Sequence, residues 1–288
     1  MMVVGDGIGN FIKKASTVSF LFTFLIFYCI IAIMIIKDFD KEELILKKLN
    51  SLYQANIGKA ISYLAQRKIS AEEVKFYGLG YSKGLNFSSF KGEIKDKLVK
   101  CSILFEKDEK LLDGMCYRLT IPIYDEYSRL IGFQGRSLSN KSDYSKYKTS
   151  TVREYSGVLY GLYHVLPKYY RGEVFVTEGW FDYLTLRRIT DNVVCSFSAK
   201  VSQRQVKLMK RYFSKVILAF DNDIPAREAY EKLEISFRRE GLGVKILDLP
   251  KILNYKDWAE IYEKDGLGKV KEVFGDLCRK NRIVLQNL

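Results

Sequence analysis

Histidine is nearly absent from this chain: His164 is the only one in 288 residues. The five cysteines, Cys29, Cys101, Cys116, Cys195 and Cys278, contain no CxxC pair. A structural zinc site needs several Cys or His ligands at short spacing, so no zinc site is encoded here. The odd count and wide spacing also exclude a disulfide framework, and reduced thiols that pack as small apolar residues are expected. Proline is scarce, with four, and no segment is of low complexity, which excludes long disordered linkers. Acid is in deficit. Lys plus Arg number 47 against 34 Asp plus Glu, a net charge of +13. That balance favours a polyanionic partner, either nucleic acid or an anionic membrane surface. A coding bias toward Lys, Ile, Tyr and Phe in an AT-rich genome produces the same excess.

Charge is missing altogether from 18–36, VSFLFTFLIFYCIIAIMII. Nineteen uncharged residues suffice for a membrane-spanning helix, and the segment is predicted to be a transmembrane anchor. Lysines flank both ends, at Lys13, Lys14 and Lys37, so charge does not set its orientation. No small-x-small cleavage site follows, which argues against a secretory signal. The rival readings are a buried core helix and a stretch outside the true start of translation.

The rest of the chain reads as α/β. Ile45, Leu49, Tyr53, Ile57, Ile61 and Leu64 recur at helical steps through Gln66. Ser70 with Glu73 three residues on is a capping-box signature. Between Cys116 and Phe133 the pattern suggests two strands around a turn at 125–128, followed by a basic polar loop, 136–153. From Glu173 strands and helices alternate. Strands are predicted at 174–177, 193–197, 216–220 and 244–249, and helices at 181–189, 202–212 and 225–239. This alternation implies a mostly parallel sheet with helices on its faces, whose ligand site lies at the carboxyl ends of the strands.

That rule singles out acidic residues. Glu178 follows the first of these strands, Asp221 and Asp223 follow the third, and Asp257 comes soon after the last. Oxygen-only ligands suit a hard ion, Mg²⁺ or Mn²⁺, whose charge would offset the mutual repulsion of the carboxylates. Phosphoryl transfer is the chemistry that uses such a set. Singly, each carboxylate is an ordinary loop charge; the grouping at successive strand ends carries the reading.

These residues resemble a known signature. Glu178-Gly179-Trp180-Phe181-Asp182 is similar to the EGxxD motif of TOPRIM domains, and Asp221-Asn222-Asp223 to their DxD motif; Lys256-Asp257 resembles the later acidic position. Upstream, Tyr63 to Ser70, Phe76 to Tyr81, Arg118 to Ile123, Ile131 to Arg136, Lys146-Tyr147 and Leu159 to Leu162 resemble, in order, motifs of the bacterial DnaG-type primase core. The family's glycine between the two aspartates is Asn222 here. The resemblance implies an α+β N-terminal subdomain, a parallel-sheet, Rossmann-like TOPRIM domain and a helical C-terminal end. It implies Mg²⁺-dependent synthesis of short RNA primers on single-stranded DNA by a nucleotidyltransferase. Glu178, Asp221 and Asp223 would be catalytic. Glu178, Asp221, Asp223 and Asp257 would hold the metal with support from Asp182, and Arg118, Arg136, Lys146 and Tyr147 would bind nucleotide or template.

The expected boundaries are 1–36 for the N-terminal segment, 37–170 for the basic subdomain, 171–251 for TOPRIM and 252–288 for the helical end. Expected partners are the single-stranded template, ribonucleoside triphosphates and a replicative helicase, although the family's helicase-binding and zinc-binding domains have no counterpart in these residues. A cytoplasmic location follows from those substrates, with the run 18–36 as an anchor to the inner face of the membrane. Two other functions share the features: a catalytically weak or inactive module that grips single-stranded DNA, and a TOPRIM nuclease.

Overall fold

The computed structural model describes residues 41–84, 87, 92–139, 145–152, 157–169, 172–221, 224–247, 249 and 254–283. The chain forms two compact units, Met1–Lys47 and Lys48–Leu288. The described residues of the first, 41–47, are helical. The second opens on helical residues 48–54 (α1). The apolar spacing predicts one helix through Gln66. The chain instead breaks and resumes as a 3₁₀ turn, Ile57–Ala60, and α2 (Ile61–Gln66). Asn56 and Gly58 account for the break: both are poor helix formers, and the Asn56 side chain donates to the Leu52 carbonyl at 2.7 Å. The predicted capping box is present at α3 (Ala71–Phe76), with Ser70 and Glu73 exchanging side-chain and backbone hydrogen bonds.

An antiparallel sheet follows, in the order β1 (Gly80–Tyr81), β4 (Arg118–Tyr124), β5 (Leu130–Ser137), β6 (Tyr147–Thr151). Asp125 turns the chain between β4 and β5 by accepting the backbone N–H groups of Tyr127 and Arg129. β6 lies inside the stretch expected to be a loop. Its sequence, Tyr-Lys-Thr-Ser-Thr, lacks an apolar face, and pairing with β5 makes it a strand. α4 (Glu93–Lys100) and a hairpin of β2 (Leu104–Lys107) with β3 (Lys110–Asp113) precede the sheet's central strands. Gly135 in β5 is dictated by crowding. A Cβ there would lie 2.7 Å from Met115 Sδ and 2.8 Å from Arg118 Cδ.

After α5 (Leu162–Tyr169) comes the second sheet, fully parallel, in the order β10 (Gly243–Ile246), β9 (Lys215–Leu218), β7 (Glu173–Thr177), β8 (Val193–Cys195). Alternate side chains enter opposite faces. Val174, Val176, Val216 and Leu218 pack with α5, α7 (Gln203–Tyr212) and α8 (Ile224–Arg239) in one buried cluster. Phe175 points the other way, onto Phe274 of α9 (Trp258–Lys280), with ring centroids 5.0 Å apart. α6 (Trp180–Arg187) shares that second face. Each fully buried aliphatic or aromatic side chain here stabilises the fold by roughly 1.5–3 kcal/mol. The two halves of this unit are joined by charge. Arg188 grips Glu73 bidentately, at 2.7 and 2.9 Å, and Arg67 pairs with Glu263 at 2.5 Å.

The expectation of a transmembrane helix is corrected. Among the described residues no helix is long and apolar enough to cross a membrane, and the run 18–36 on which the expectation rested lies outside them.

The single histidine stacks on Phe76, at 5.4 Å and 22°, and lies 3.9 Å from the Tyr163 ring. Burial, then the neighbouring Arg187, lower its pKa from 6.5 to about 4. The unfolded chain therefore takes up this proton first, and stability is lost as pH falls from 6.5 through about 4. His164→Phe is expected to remove that part of the acid limb. The check is the urea midpoint of both proteins across this window, where their difference should shrink to a constant if His164 is silent.

Candidate active site

β7 ends at Thr177, and the chain turns through Glu178 and Gly179 into α6. Gly179 is the N-cap, in extended conformation, and Asp182 falls in the first turn. Asp182 is buried. Its Oδ1 accepts the Ala259 N–H of α9 at 3.0 Å. Its Oδ2 faces Gly179, where a Cβ would lie 2.7 Å away. Glycine is required here for space and not for backbone freedom, since φ is −101°. Asp257 caps α9, its Oδ1 accepting the Glu260 N–H at 2.8 Å. Asp221 stands just beyond β9. One carboxylate oxygen from each of Asp182, Asp221 and Asp257 lies within 4.8 Å of the others.

This set fits a hard divalent cation. The donors are all oxygens, and one carboxyl is strained electrostatically without a counter-charge. Burial, then the charges of Asp257 and Asp221, hold Asp182 well above the usual carboxylate range. The residues that would hold Mg²⁺ are thus Asp182, Asp221 and Asp257. Asp182, expected to act in support, is a full member of the triad. Glu178 lines the same pocket outside it, and Asp223 lies outside the described residues.

The pocket is about 220 Å³ and mixes these acids with four cations, Arg67, Arg136, Lys146 and Lys256. Arg136 is held by rings. Its guanidinium lies 5.3, 5.1 and 5.1 Å from the centroids of Tyr63, Tyr147 and Phe181. It donates to the Tyr147 hydroxyl, and its buried Nε has no hydrogen-bond partner. Burial raises the Tyr147 phenol to about 12. Lys146 is lowered by burial first, then by Arg136, Lys256 and Arg67, with Asp257 opposing. Cations crowded in this way favour an anion among them. Lys256 Nζ stands 3.9 Å from Asp221 Oδ2.

Of the residues expected to bind nucleotide or template, Arg136, Lys146 and Tyr147 line the pocket and Arg118 does not. The Arg118 guanidinium turns under β5 and donates to the carbonyls of Gly135, Ser145 and Lys146, at 3.4, 2.8 and 3.5 Å. It fixes the segment that carries Lys146. Arg67 and Lys256 were given no role by sequence reasoning. Lys256 could have been found by its position beside Asp257. Arg67 reaches the pocket from the end of α2, far from the acidic motifs, and no local signal marks it.

Three tests follow from the triad. Mg²⁺ is expected to raise the melting temperature more as pH climbs from the ordinary carboxylate range, because the raised Asp182 pKa means stability is lost as pH rises through the folded value. Asp182→Asn keeps the acceptor for Ala259 and removes the repulsion. It should melt a few degrees higher than the wild type without metal, on the order of 1–3 kcal/mol, and respond little to Mg²⁺. Gly179→Ala should fold normally yet bind Mg²⁺ about tenfold or more weakly, read by titration calorimetry, because its methyl displaces Asp182 Oδ2.

Comparison with known proteins agrees with this arrangement. The family described as "DNA primase catalytic core, N-terminal domain" matches residues 48–166, and the family described as "Toprim-like" matches residues 175–262. A DNA primase of Clostridium acetobutylicum is 29% identical over 223 residues, covering 75% of this chain and 36% of its own length. A DNA primase domain from Pseudomonas aeruginosa superposes with a TM-score of 0.71 at 23% identity, over 83% of this chain and 78% of that one. A DnaG primase catalytic domain bound to single-stranded DNA superposes with a TM-score of 0.70 at 24% identity, over 84% and 78%. At these identities the structures speak for the fold alone. The chain spans little more than a third of the length of the curated relative it matches. With both domain models matched in order, over residues 48–166 and 175–262, this chain carries the N-terminal DnaG domain and the Toprim-like domain of a bacterial DnaG-type DNA primase catalytic core.

Proposed function

We propose that this core joins ribonucleotides on a single-stranded DNA template, with Mg²⁺ or Mn²⁺ as cofactor. The observation that carries the reading is one pocket in which three carboxylates come within 4.8 Å of each other and face a crowded set of cations. A nucleoside triphosphate with its metal ion complements both halves at once. The single-stranded DNA bound to the similar DnaG primase catalytic domain supports the nucleic-acid part of the reading.

In this reading Arg136 and Lys146 take the triphosphate, with Arg67 and Lys256 at its edges. Arginine fits phosphate bidentately, and the rings around Arg136 orient its guanidinium before the substrate arrives. The metal, held by Asp182, Asp221 and Asp257, would supply charge stabilisation as pyrophosphate departs. The bond made joins the 3′-oxygen of one nucleotide to the α-phosphorus of the next, and the bond broken releases pyrophosphate. Glu178, which lines the pocket outside the triad, would take the hydroxyl proton. Asp223 is assigned to the same machinery by its DxD position. Residues 37–170 handle the template and the triphosphate, and 171–251 together with Asp257 of 252–288 the metal, with a replicative helicase as the partner that would deliver single-stranded DNA in the cytoplasm.

The test is primer synthesis from ribonucleoside triphosphates on single-stranded templates. Asp221→Ala should lower the rate about 100-fold or more, and Arg136→Lys should raise KM more than it lowers kcat. A wild-type chain that binds single-stranded DNA with no synthesis, with or without a zinc domain supplied in trans, would leave only the binding-module reading. Metal-dependent cutting of a labelled strand would show a nuclease.

A further inference from the structure

One exposed ring lies outside the pocket and has no part in the chemistry above. Tyr117 precedes β4 and is 63% exposed, although aromatic side chains ordinarily bury most of their surface. Its backbone is left-handed, with φ +58°, a conformation that costs a bulky side chain roughly 1 kcal/mol or more. The surroundings over-determine it. Buried Asp113 accepts from Tyr53 Oη at 2.7 Å, from the Met115 N–H at 2.8 Å and from Ser82 Oγ. Ser82 in turn takes the Tyr117 N–H at 2.8 Å and gives its own N–H to the Arg118 carbonyl at 3.0 Å. The chain on both sides of Tyr117 is therefore pinned. The ring borders Gly84, where a Cβ would touch the tyrosine Cζ and Oη at an ordinary 3.5 Å and would crowd only Cys116 Sγ, at 2.7 Å. Most of the ring is left to solvent.

One neighbour is an exposed cation, Lys83 on the adjoining segment. The sheet register links this ring to the pocket. Arg118 pairs with Ser137 and Arg136 with Tyr147, so Tyr117, Lys146 and Tyr147 lie toward one end of the same sheet. Arg118 itself bonds the Lys146 carbonyl.

We propose that Tyr117 is a preformed stacking platform for one base of single-stranded nucleic acid, with Lys83 against the adjoining phosphate, on the path by which the strand reaches the pocket. The inference rests on the function proposed above. A rigid exposed aromatic beside a cation is what single-strand binding uses, because every base has a face to stack and the ring loses little freedom on binding. The positive φ fits the same role, since it sets the direction in which the ring leaves the backbone.

The experiment measures binding of the full chain to a fluorescent oligothymidylate and to a strand of the same length with abasic sugars throughout. Tyr117→Asn removes the ring and keeps a residue at ease with positive φ; Tyr117→Phe keeps the ring. Tyr117→Asn is expected to weaken binding to the oligothymidylate by about 5- to 100-fold and to leave the abasic strand unchanged, while Tyr117→Phe binds as the wild type does. Lys83→Gln should lower the salt dependence by about one phosphate contact. Equal affinities of Tyr117→Asn and wild type for the oligothymidylate overturn the platform while leaving the function standing. So does an equal loss on both strands. A wild-type chain that binds neither strand overturns the function and the platform together.

Discussion

Repulsion among Asp182, Asp221 and Asp257 is the constraint around which this chain is arranged. Charges about 5 Å apart repel by on the order of 3 kcal/mol per pair at an effective dielectric of about 20. A fold bears that only where the backbone leaves no alternative. Asp182 is held by the Ala259 amide and by the turn at Gly179, and Asp257 by its own capping bond to Glu260. Both bonds are made by one carboxylate oxygen, which leaves the other for a ligand. The parallel sheet supplies the scaffold: β7 and β9 deliver their acids to the same end because parallel strands share a direction. α9 contributes twice, through its capping aspartate and through the amide that fixes Asp182.

The cations answer this cluster from the other side of the pocket. They come from elements that have little in common in sequence: the end of α2, the end of β5, the segment entering β6 and the approach to α9. Arg136 is positioned by three aromatic rings and, among the described residues, without a carboxylate partner, so its charge is not cancelled before a substrate arrives. The ion pairs Arg188–Glu73 and Arg67–Glu263 tie the two halves of the unit together and so set the distance across the pocket.

Much of this was legible in the sequence where one local rule decides the outcome. The acidic residues were found because strand ends in a parallel sheet are marked by apolar runs, and Val174 to Thr177 and Val216 to Phe220 are such runs. Ser70 and Glu73 announce their helix through spacing alone, and the capping box is present; Ser202 and Gln205 form a second one at α7. Failures came where the deciding partner is distant. β6 has no apolar alternation and exists because β5 offers it a ladder. Arg118 carries a phosphate-binding side chain in a fitting motif, yet three backbone carbonyls claim its guanidinium, which no pattern around position 118 reveals. Arg67 enters the pocket only because α2 is folded against α6 and α9, where Phe181 and Glu263 receive its guanidinium.

Arg118 passes under β5 because Gly135 has no side chain to stop it. The two positions are thereby bound into an order of events in evolution. A lineage that first replaced Gly135 would push the guanidinium away and release the segment bearing Lys146. A lineage that first shortened residue 118 would empty the space and free position 135 to drift. Neighbouring strands thus carry a one-way historical ratchet, and chains that have lost the arginine are where a side chain at 135 should be sought.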